Sequence, residues 1–131
     1  MTHRYTGTKE IVAWPAEKDG KPGYGVKYAD GYTSWSPKEA FEEAYRTSEP
    51  GMEQHLSFGD ALHYMRLGKR VARAGWNGKG LHVRVVYAGN AMDHGDCMKD
   101  CFGICDGNGN IQPGWVASTG DLLANDWGVL A

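Results

Sequence analysis

Hydrophobic and polar positions along the chain fall into two blocks separated by a cluster of helix breakers. In the first, residues 1–46, Lys9 to Trp14 has the composition of a strand, and Pro15 closes it. Tyr24-Gly25-Val26-Lys27-Tyr28 alternates in the strand period, Asp30-Gly31 supplies a tight turn, and Tyr32-Thr33-Ser34-Trp35 returns. Ser36 and Pro37 then predict a helix start. The serine hydroxyl is the expected N-cap, the proline costs nothing in a first turn, and Glu39 is placed to complete a capping box. Phe41, Ala44 and Tyr45 share one face of that helix. The block reads as a short β-β-α unit.

Thr47-Ser48-Glu49-Pro50-Gly51 is a breaker cluster and a plausible linker. The second block, residues 56–131, opens with Ser57 as a helix cap and Asp60 in the first turn. Phe58, Ala61, Leu62 and Met65 follow at helical spacing, and Gly68 ends the helix. Lys69 to Trp76 reads as a strand, and Asn77 to Gly80 as a glycine-rich turn. Leu81 to Tyr87 alternates, which predicts that Leu81, Val83, Val85 and Tyr87 face inward. A polar, glycine-bearing stretch leads to a short strand around Ile111, then to a helix from Ser118 to Asn125 ahead of Trp127 and Val129. The pattern is α+β: a small antiparallel sheet with packed helices, preceded by the N-terminal unit, with no repeated βαβ crossover.

Composition narrows the class. Of 131 residues, 41% are hydrophobic and 23% charged, which is ordinary globular chemistry. No apolar run reaches membrane-spanning length, no signal peptide is legible, and a cytoplasmic protein is the default expectation. Three cysteines do not make a secreted disulfide framework.

The net charge of −2 conceals a segregation. From Ala61 to Met92 there is no acidic residue, while Arg66, Lys69, Arg70, Arg73, Lys79 and Arg84 all fall there. The other eight basic residues stand against all sixteen acidic ones. Such a run makes a local positive field that draws phosphorylated ligands, or else a solvated face matched to the acidic remainder. A polymeric nucleic-acid partner is not expected, because such binders are usually basic overall.

The candidate chemistry sits in two motifs. In Gly75-Trp76-Asn77-Gly78-Lys79-Gly80, the glycines let backbone approach a ligand closely, Trp76 offers a stacking face, Asn77 an edge reader and Lys79 a phosphate partner. It is not a P-loop, because the spacing is wrong and Gly80 stands where magnesium needs a hydroxyl. The competing reading is a glycine-rich hairpin with a core tryptophan. In Trp115-Val116-Ala117-Ser118-Thr119-Gly120-Asp121, Trp115 is a second stacking candidate, Ser118 an N-cap and Asp121 either its capping partner or a ribose acceptor. Asp126 and Trp127 read as packing and capping residues.

Cys97, Cys101 and Cys105 recur every four residues behind His94. That set can hold zinc, but structural sites favour tighter, separated pairs, and buried thiols on one strand face account for the spacing as well, so no metal is expected. Asp106 to Asn110 mimics a calcium loop, yet Ile111 and Ala117 occupy its obligatory glycine and glutamate positions, which leaves a turn. No motif pairs a nucleophile with a base, so no catalytic residue, and no cofactor, is assigned.

Leu56 to Leu62 followed by Gly68 to Gly80, and later Gly114 to Ser118 with Asp121 to Trp127, resemble the second Thoeris anti-defence family of phage proteins over roughly residues 56–130. The resemblance implies a sponge that captures, without cleaving, the cyclic ADP-ribose isomer made by bacterial TIR-domain immune enzymes. It further implies a homotetramer with pockets between subunits, a place in the cytoplasm of the infected host, and in some members capture of CBASS cyclic dinucleotides. The ligand-binding residues it carries over are Trp76, Asn77, Trp115, Ser118 and Asp121, beside Lys79 from the charge pattern. Two departures stand out. Thr119-Gly120 replaces the family's usual Gln followed by Ala or Thr, and His94 to Asn110 is longer and richer in cysteine. Asp30 to Lys38 is similar to a segment at the front of several phage proteins, with no function attached. The alternatives are a nucleotide-degrading enzyme or a protein–protein inhibitor of host defence.

Overall fold

The structure, a computed structural model, describes residues 1–76, 80–89 and 99–131. Two compact units divide it, Met1–Arg46 and Thr47–Ala131. Mixed helices and antiparallel sheets make the fold α+β, as the periodicities predict.

The first unit is a three-stranded antiparallel sheet, β1 (Val12–Pro15), β2 (Gly23–Lys27) and β3 (Thr33–Pro37) in sequential order, followed by helix α1 (Lys38–Ala44). The unit is therefore β-β-β-α rather than β-β-α. The β2–β3 turn depends on Gly31, at φ +89°, and on the Asp30 carboxylate accepting from the Tyr32 N–H at 2.9 Å. One face of β2 packs on α1: Tyr24 stacks on Phe41 with centroids 4.2 Å apart, and Phe41 on Tyr45 at 5.0 Å. The other face is bare glycine. Trp14 and Trp35 flank Gly25 in register, and their indoles lie so close over β2 that a Cβ built at Gly25 or Gly23 would come within 2.4 Å of one.

The expected Ser36 cap is not formed. β3 runs on through Pro37, which occupies the N-cap position. Ser36 stays in the ladder opposite Tyr24, its hydroxyl reaching only the Pro37 carbonyl at 3.4 Å. Strand pairing wins because it extends to the helix start, where the Lys38 N–H donates to the Pro22 carbonyl at 3.2 Å.

In the second unit, α2 (Phe58–Arg66) begins with the predicted Ser57 cap, which Asp60 completes into a capping box. Ser57 Oγ accepts from the Asp60 N–H, and the Asp60 carboxylate accepts from the Ser57 N–H, both at 3.1 Å. Gly68, at φ +86°, ends it. β4 (Val71–Arg73), β5 (His82–Val86), β6 (Cys101–Cys105), β7 (Ile111–Pro113), α3 (Thr119–Leu123) and β8 (Trp127–Val129) follow. The sheet order is β7-β6-β5-β4-β8, antiparallel throughout. Leu56, Ala61, Tyr64, Met65, Val71, Val83, Trp127 and Val129 form the core between sheet and helix. At ~25 cal/mol per Å² of apolar surface removed from water, this cluster is the main force holding α2 to the sheet.

β8 is an edge strand without an exposed edge. Leu56 and Trp127 exchange backbone hydrogen bonds, and the Gln54 side-chain amide does the same for Val129, donating to its carbonyl and accepting from its N–H, both at 2.9 Å. Such covering removes a template for pairing with other chains.

The predicted strand from Lys69 to Trp76 is shorter than expected. After Arg73 the chain leaves the ladder, the Ala74 N–H donating to the Asp126 carbonyl and Gly75 taking φ +76°. The inward face assigned to β5 is only partly right. Val83 is fully buried and Val85 packs against the core, but Tyr87 is 47% exposed, while His82 and Val86 on the opposite face are buried. A central strand covered on both faces does not show the alternation of a half-exposed one. β6 was hidden in the polar stretch. Its Cys101 and Cys105 lie on one strand face; Cys97 and His94 lie outside the described residues. Asp106 to Asn110 forms a turn in which the Asp106 carboxylate accepts from Asn108 N–H, Asn110 N–H and the Asn110 side chain. No helix of the described residues is long and apolar enough to cross a membrane.

Candidate functional site

The two tryptophan motifs converge. β4 delivers Trp76 just past its end, and β7 delivers Trp115 through Gly114, whose N–H donates to the Phe102 carbonyl together with that of Trp115. Both indoles are half-buried and pack against fully buried Trp127. Trp76 and Trp115 have centroids 6.1 Å apart with planes inclined at 66°. Trp76 meets Trp127 at 5.4 Å and 73°, and Trp115 meets Trp127 at 6.4 Å and 80°. Phe58 and Phe102 extend the cluster with the same edge-to-face contacts. Each such pair adds about 0.5–1.5 kcal/mol beyond its buried area, so the cluster is rigid as well as aromatic.

This geometry bears on both readings of Trp76. It is a packing residue, and part of its indole stays exposed. The pair does not form parallel jaws: gripping a base between two rings needs near-parallel planes about 7 Å apart, twice a van der Waals contact. A planar group can lie against one indole and meet the edge of the other.

Ser118 and Asp121 build the second capping box. Ser118 Oγ accepts from the Asp121 N–H and the Asp121 carboxylate from the Ser118 N–H, both at 3.0 Å. Ser118 is exposed, and its hydroxyl proton remains available to donate. Asp121 does more than cap. Its carboxylate accepts from Arg73 Nη1 at 3.1 Å, and its backbone carbonyl accepts from the indole N–H of Trp127 at 2.9 Å. Asp126, expected to pack or cap, instead accepts from Arg73 Nε at 2.9 Å.

Arg73 is the residue that sequence reasoning missed in this role, having counted it only as one more positive charge. Alternation in β4 puts it on the face of buried Val71, and an inward arginine on a short strand requires carboxylate partners. The two carboxylates leave the group with a net charge of one negative. They also hold the guanidinium more firmly protonated, the Asp126 hydrogen bond contributing most. For Asp121, burial works to raise the pKa, but the Ser118 N–H and the Arg73 guanidinium outweigh it and hold the carboxyl below its ordinary range.

Of the other sequence-derived site residues, Asn77 and Lys79 lie outside the described residues. Gly75 and Gly80 flank them in sequence; at Gly80 φ is +81° and an added Cβ would sit 2.8 Å from the Cα of Gly107. Only glycine fits there. The Gly80 carbonyl is also 2.8 Å from Nδ1 of buried His82. A groove of about 370 Å³ opens beside Arg73 and Asp126, between residues 50–55 and β8, and neither Trp76 nor Trp115 lines it. Around α3, Val116, Leu122 and Leu123 are 84%, 50% and 75% exposed.

Residues 56–130 match the model of the Thoeris anti-defense 2-like domain. The chain is also similar to the Thoeris anti-defense 2 protein of Bacillus phage SP01. The two are 28% identical over an aligned length of 96 residues, which takes in 61% of this chain and 100% of the relative.

Proposed function

The chain belongs to the Thoeris anti-defense 2-like family, and we propose that it disarms bacterial immunity by holding a cyclic nucleotide signal without destroying it. Membership supports an anti-defence role of phage origin; the capture mechanism and its ligand are the proposal. The ligand in view is the cyclic ADP-ribose isomer made by TIR-domain enzymes, with cyclic dinucleotides of the CBASS pathway as a second class.

The observation that carries this reading is the meeting of Trp76 and Trp115, each half-buried, with Ser118 and Asp121 fixed alongside. An adenine stacked on one indole contributes roughly 1–3 kcal/mol. The Ser118 hydroxyl and the spare lone pairs of Asp121 suit ribose hydroxyls. Lys79 and Asn77 are assigned the phosphates and the base edge. Nanomolar capture requires about −12 kcal/mol, which a preorganised aromatic site with charge-assisted contacts can reach.

Binding rather than cleavage is favoured by the state of the polar groups. A carboxylate held below its usual pKa by a guanidinium is a weak general base, and Asp121, the carboxylate beside Ser118, is in that state. The exposed Val116, Leu122 and Leu123 beside the site suit cover by a second copy, in keeping with a homotetramer whose pockets are shared.

Filtration of the purified chain with the cyclic ADP-ribose isomer, followed by heat denaturation, tests this. Intact ligand retained and then released on heating is the expected result. Ligand recovered as breakdown products would make the protein an enzyme, and ligand free throughout would leave a protein–protein inhibitor. Sedimentation velocity with and without ligand reads the assembly.

A further inference from the structure

Arg73 lies in the acid-free run and invites assignment as a phosphate partner, but its surroundings assign it another task. We propose that Arg73 is a positioning residue that assembles the ligand site from its two separated motifs, and that it does not contact the ligand's phosphates. This rests on the capture function proposed above.

The guanidinium is used at two points. Nε donates to Asp126 at 2.9 Å and Nη1 to Asp121 at 3.1 Å, so one planar group bridges two carboxylates from different segments. Each partner leads to a tryptophan. Asp126 directly precedes Trp127. Asp121 receives the Trp127 indole N–H on its backbone carbonyl and closes the capping box with Ser118, three residues after Trp115. On its own strand, the Arg73 carbonyl faces the Trp76 N–H at 3.4 Å. Three indoles that meet edge to face thus hang on segments tied to one side chain. That side chain is 28% exposed, so its bonds are weakened but not abolished by solvent.

The charge balance argues against the phosphate role. Two carboxylates around one guanidinium leave a net negative group, which repels an approaching phosphate. Lysine cannot replace the arginine, since an ammonium lacks the planar fork that reaches both carboxylates in fixed geometry.

The two roles predict opposite signs for Asp126→Asn. If Arg73 were a phosphate partner held back by its carboxylates, losing one would free it and tighten capture. As a positioning residue it is loosened instead, and the Kd for the cyclic ADP-ribose isomer, read by titration calorimetry on the full chain, is expected to rise about tenfold, a change of ~1.4 kcal/mol. Arg73→Lys, which keeps the charge, is expected to weaken capture at least as much. An unchanged or tighter Kd in either variant overturns the proposal. Near-ultraviolet circular dichroism, which reads how the indoles face one another, tests it without ligand. A changed spectrum in both variants, with far-ultraviolet signal and melting temperature close to wild type, supports the positioning role; an unchanged spectrum overturns it. Should wild type hold no cyclic nucleotide, the capture function fails while this spectral test still decides the role of Arg73. Asp126→Asn keeps the Asp121 bond and serves if Arg73→Lys does not fold.

Discussion

The indoles of Trp76 and Trp115 meet edge to face, 6.1 Å between centroids and 66° between planes, a geometry in which a planar group can stack on one of them and abut the other. Since Trp76 also packs on Trp127, truncating it mixes loss of binding with loss of structure. Trp76→Phe separates them. The smaller ring keeps an aromatic contact with Trp127, at a stability cost of about 1–1.5 kcal/mol. It gives up much of the stacking face, and capture is expected to weaken severalfold. Trp76→Ala should cost about 2–4 kcal/mol and weaken capture more than tenfold. Denaturant melts and calorimetry on the same samples report both quantities. Undiminished binding by the phenylalanine variant would remove Trp76 from the stacking role.

Gln54 acts as a one-residue strand along β8, and replacing it with alanine leaves the Val129 N–H and carbonyl without their partner. The expected loss is about 1–3 kcal/mol, in the range for unsatisfied backbone groups. A concentration-dependent rise in aggregation should accompany it, because the freed edge can pair with another chain. Gln54→Glu retains the acceptor from the Val129 N–H but loses the donor, so it should fall between the two in chemical denaturation. A melt of Gln54→Ala that overlays wild type would show that the amide pairing contributes nothing.

Asp121 supplies a pH signature. Its carboxyl is depressed below the ordinary 3.8, the Ser118 N–H and Arg73 outweighing burial. A depressed group contributes fully above its unfolded value, and that contribution is lost as pH falls through the folded one. The melting temperature should therefore decline on acidification below about pH 4, with a shallower decline in Asp121→Asn across that window. Identical slopes in the two proteins would place the acid sensitivity elsewhere.

In the first unit, Gly25 and Gly23 have no room for a methyl group under Trp14 and Trp35. Gly25→Ala is expected to displace the Trp14 indole and destabilise this small sheet by about 1–3 kcal/mol. Tryptophan emission of the full chain, or the amide proton dispersion of its first 46 residues, would show the change. Tolerance of alanine with an unmoved Trp14 resonance would mean that the indole lies elsewhere in solution.

Where one physical signal dominated, the fold was legible. The α2 cap at Ser57–Asp60, the stop at Gly68 and the Asp30-Gly31 turn are local chemistry and stand as read. Ser36 failed as a cap because its N-cap geometry competed with a longer strand pairing that no local motif encodes. β6 was legible only as the strand-face alternative for the cysteine spacing, because Cys101-Phe102-Gly103-Ile104-Cys105 is short and lies behind a polar stretch. Tyr87 was placed inward by an alternation that a doubly covered strand does not obey. At the site, Trp76 and Trp115 were readable as motifs, whereas the bridge of Arg73 to Asp121 and Asp126 joins residues far apart in sequence and belongs to tertiary structure alone.

Gln54 and Leu56 open the second unit, and their partners Trp127 and Val129 close it. Its sheet can therefore be completed only after nearly the whole unit has been synthesised. Until Trp127 reaches the core, α2 lacks its largest buried neighbour, and the incomplete unit exposes apolar surface. A chain that ends before Trp127 lacks both the strand that pairs with β4 and the largest side chain of the core, so only completed chains are expected to fold.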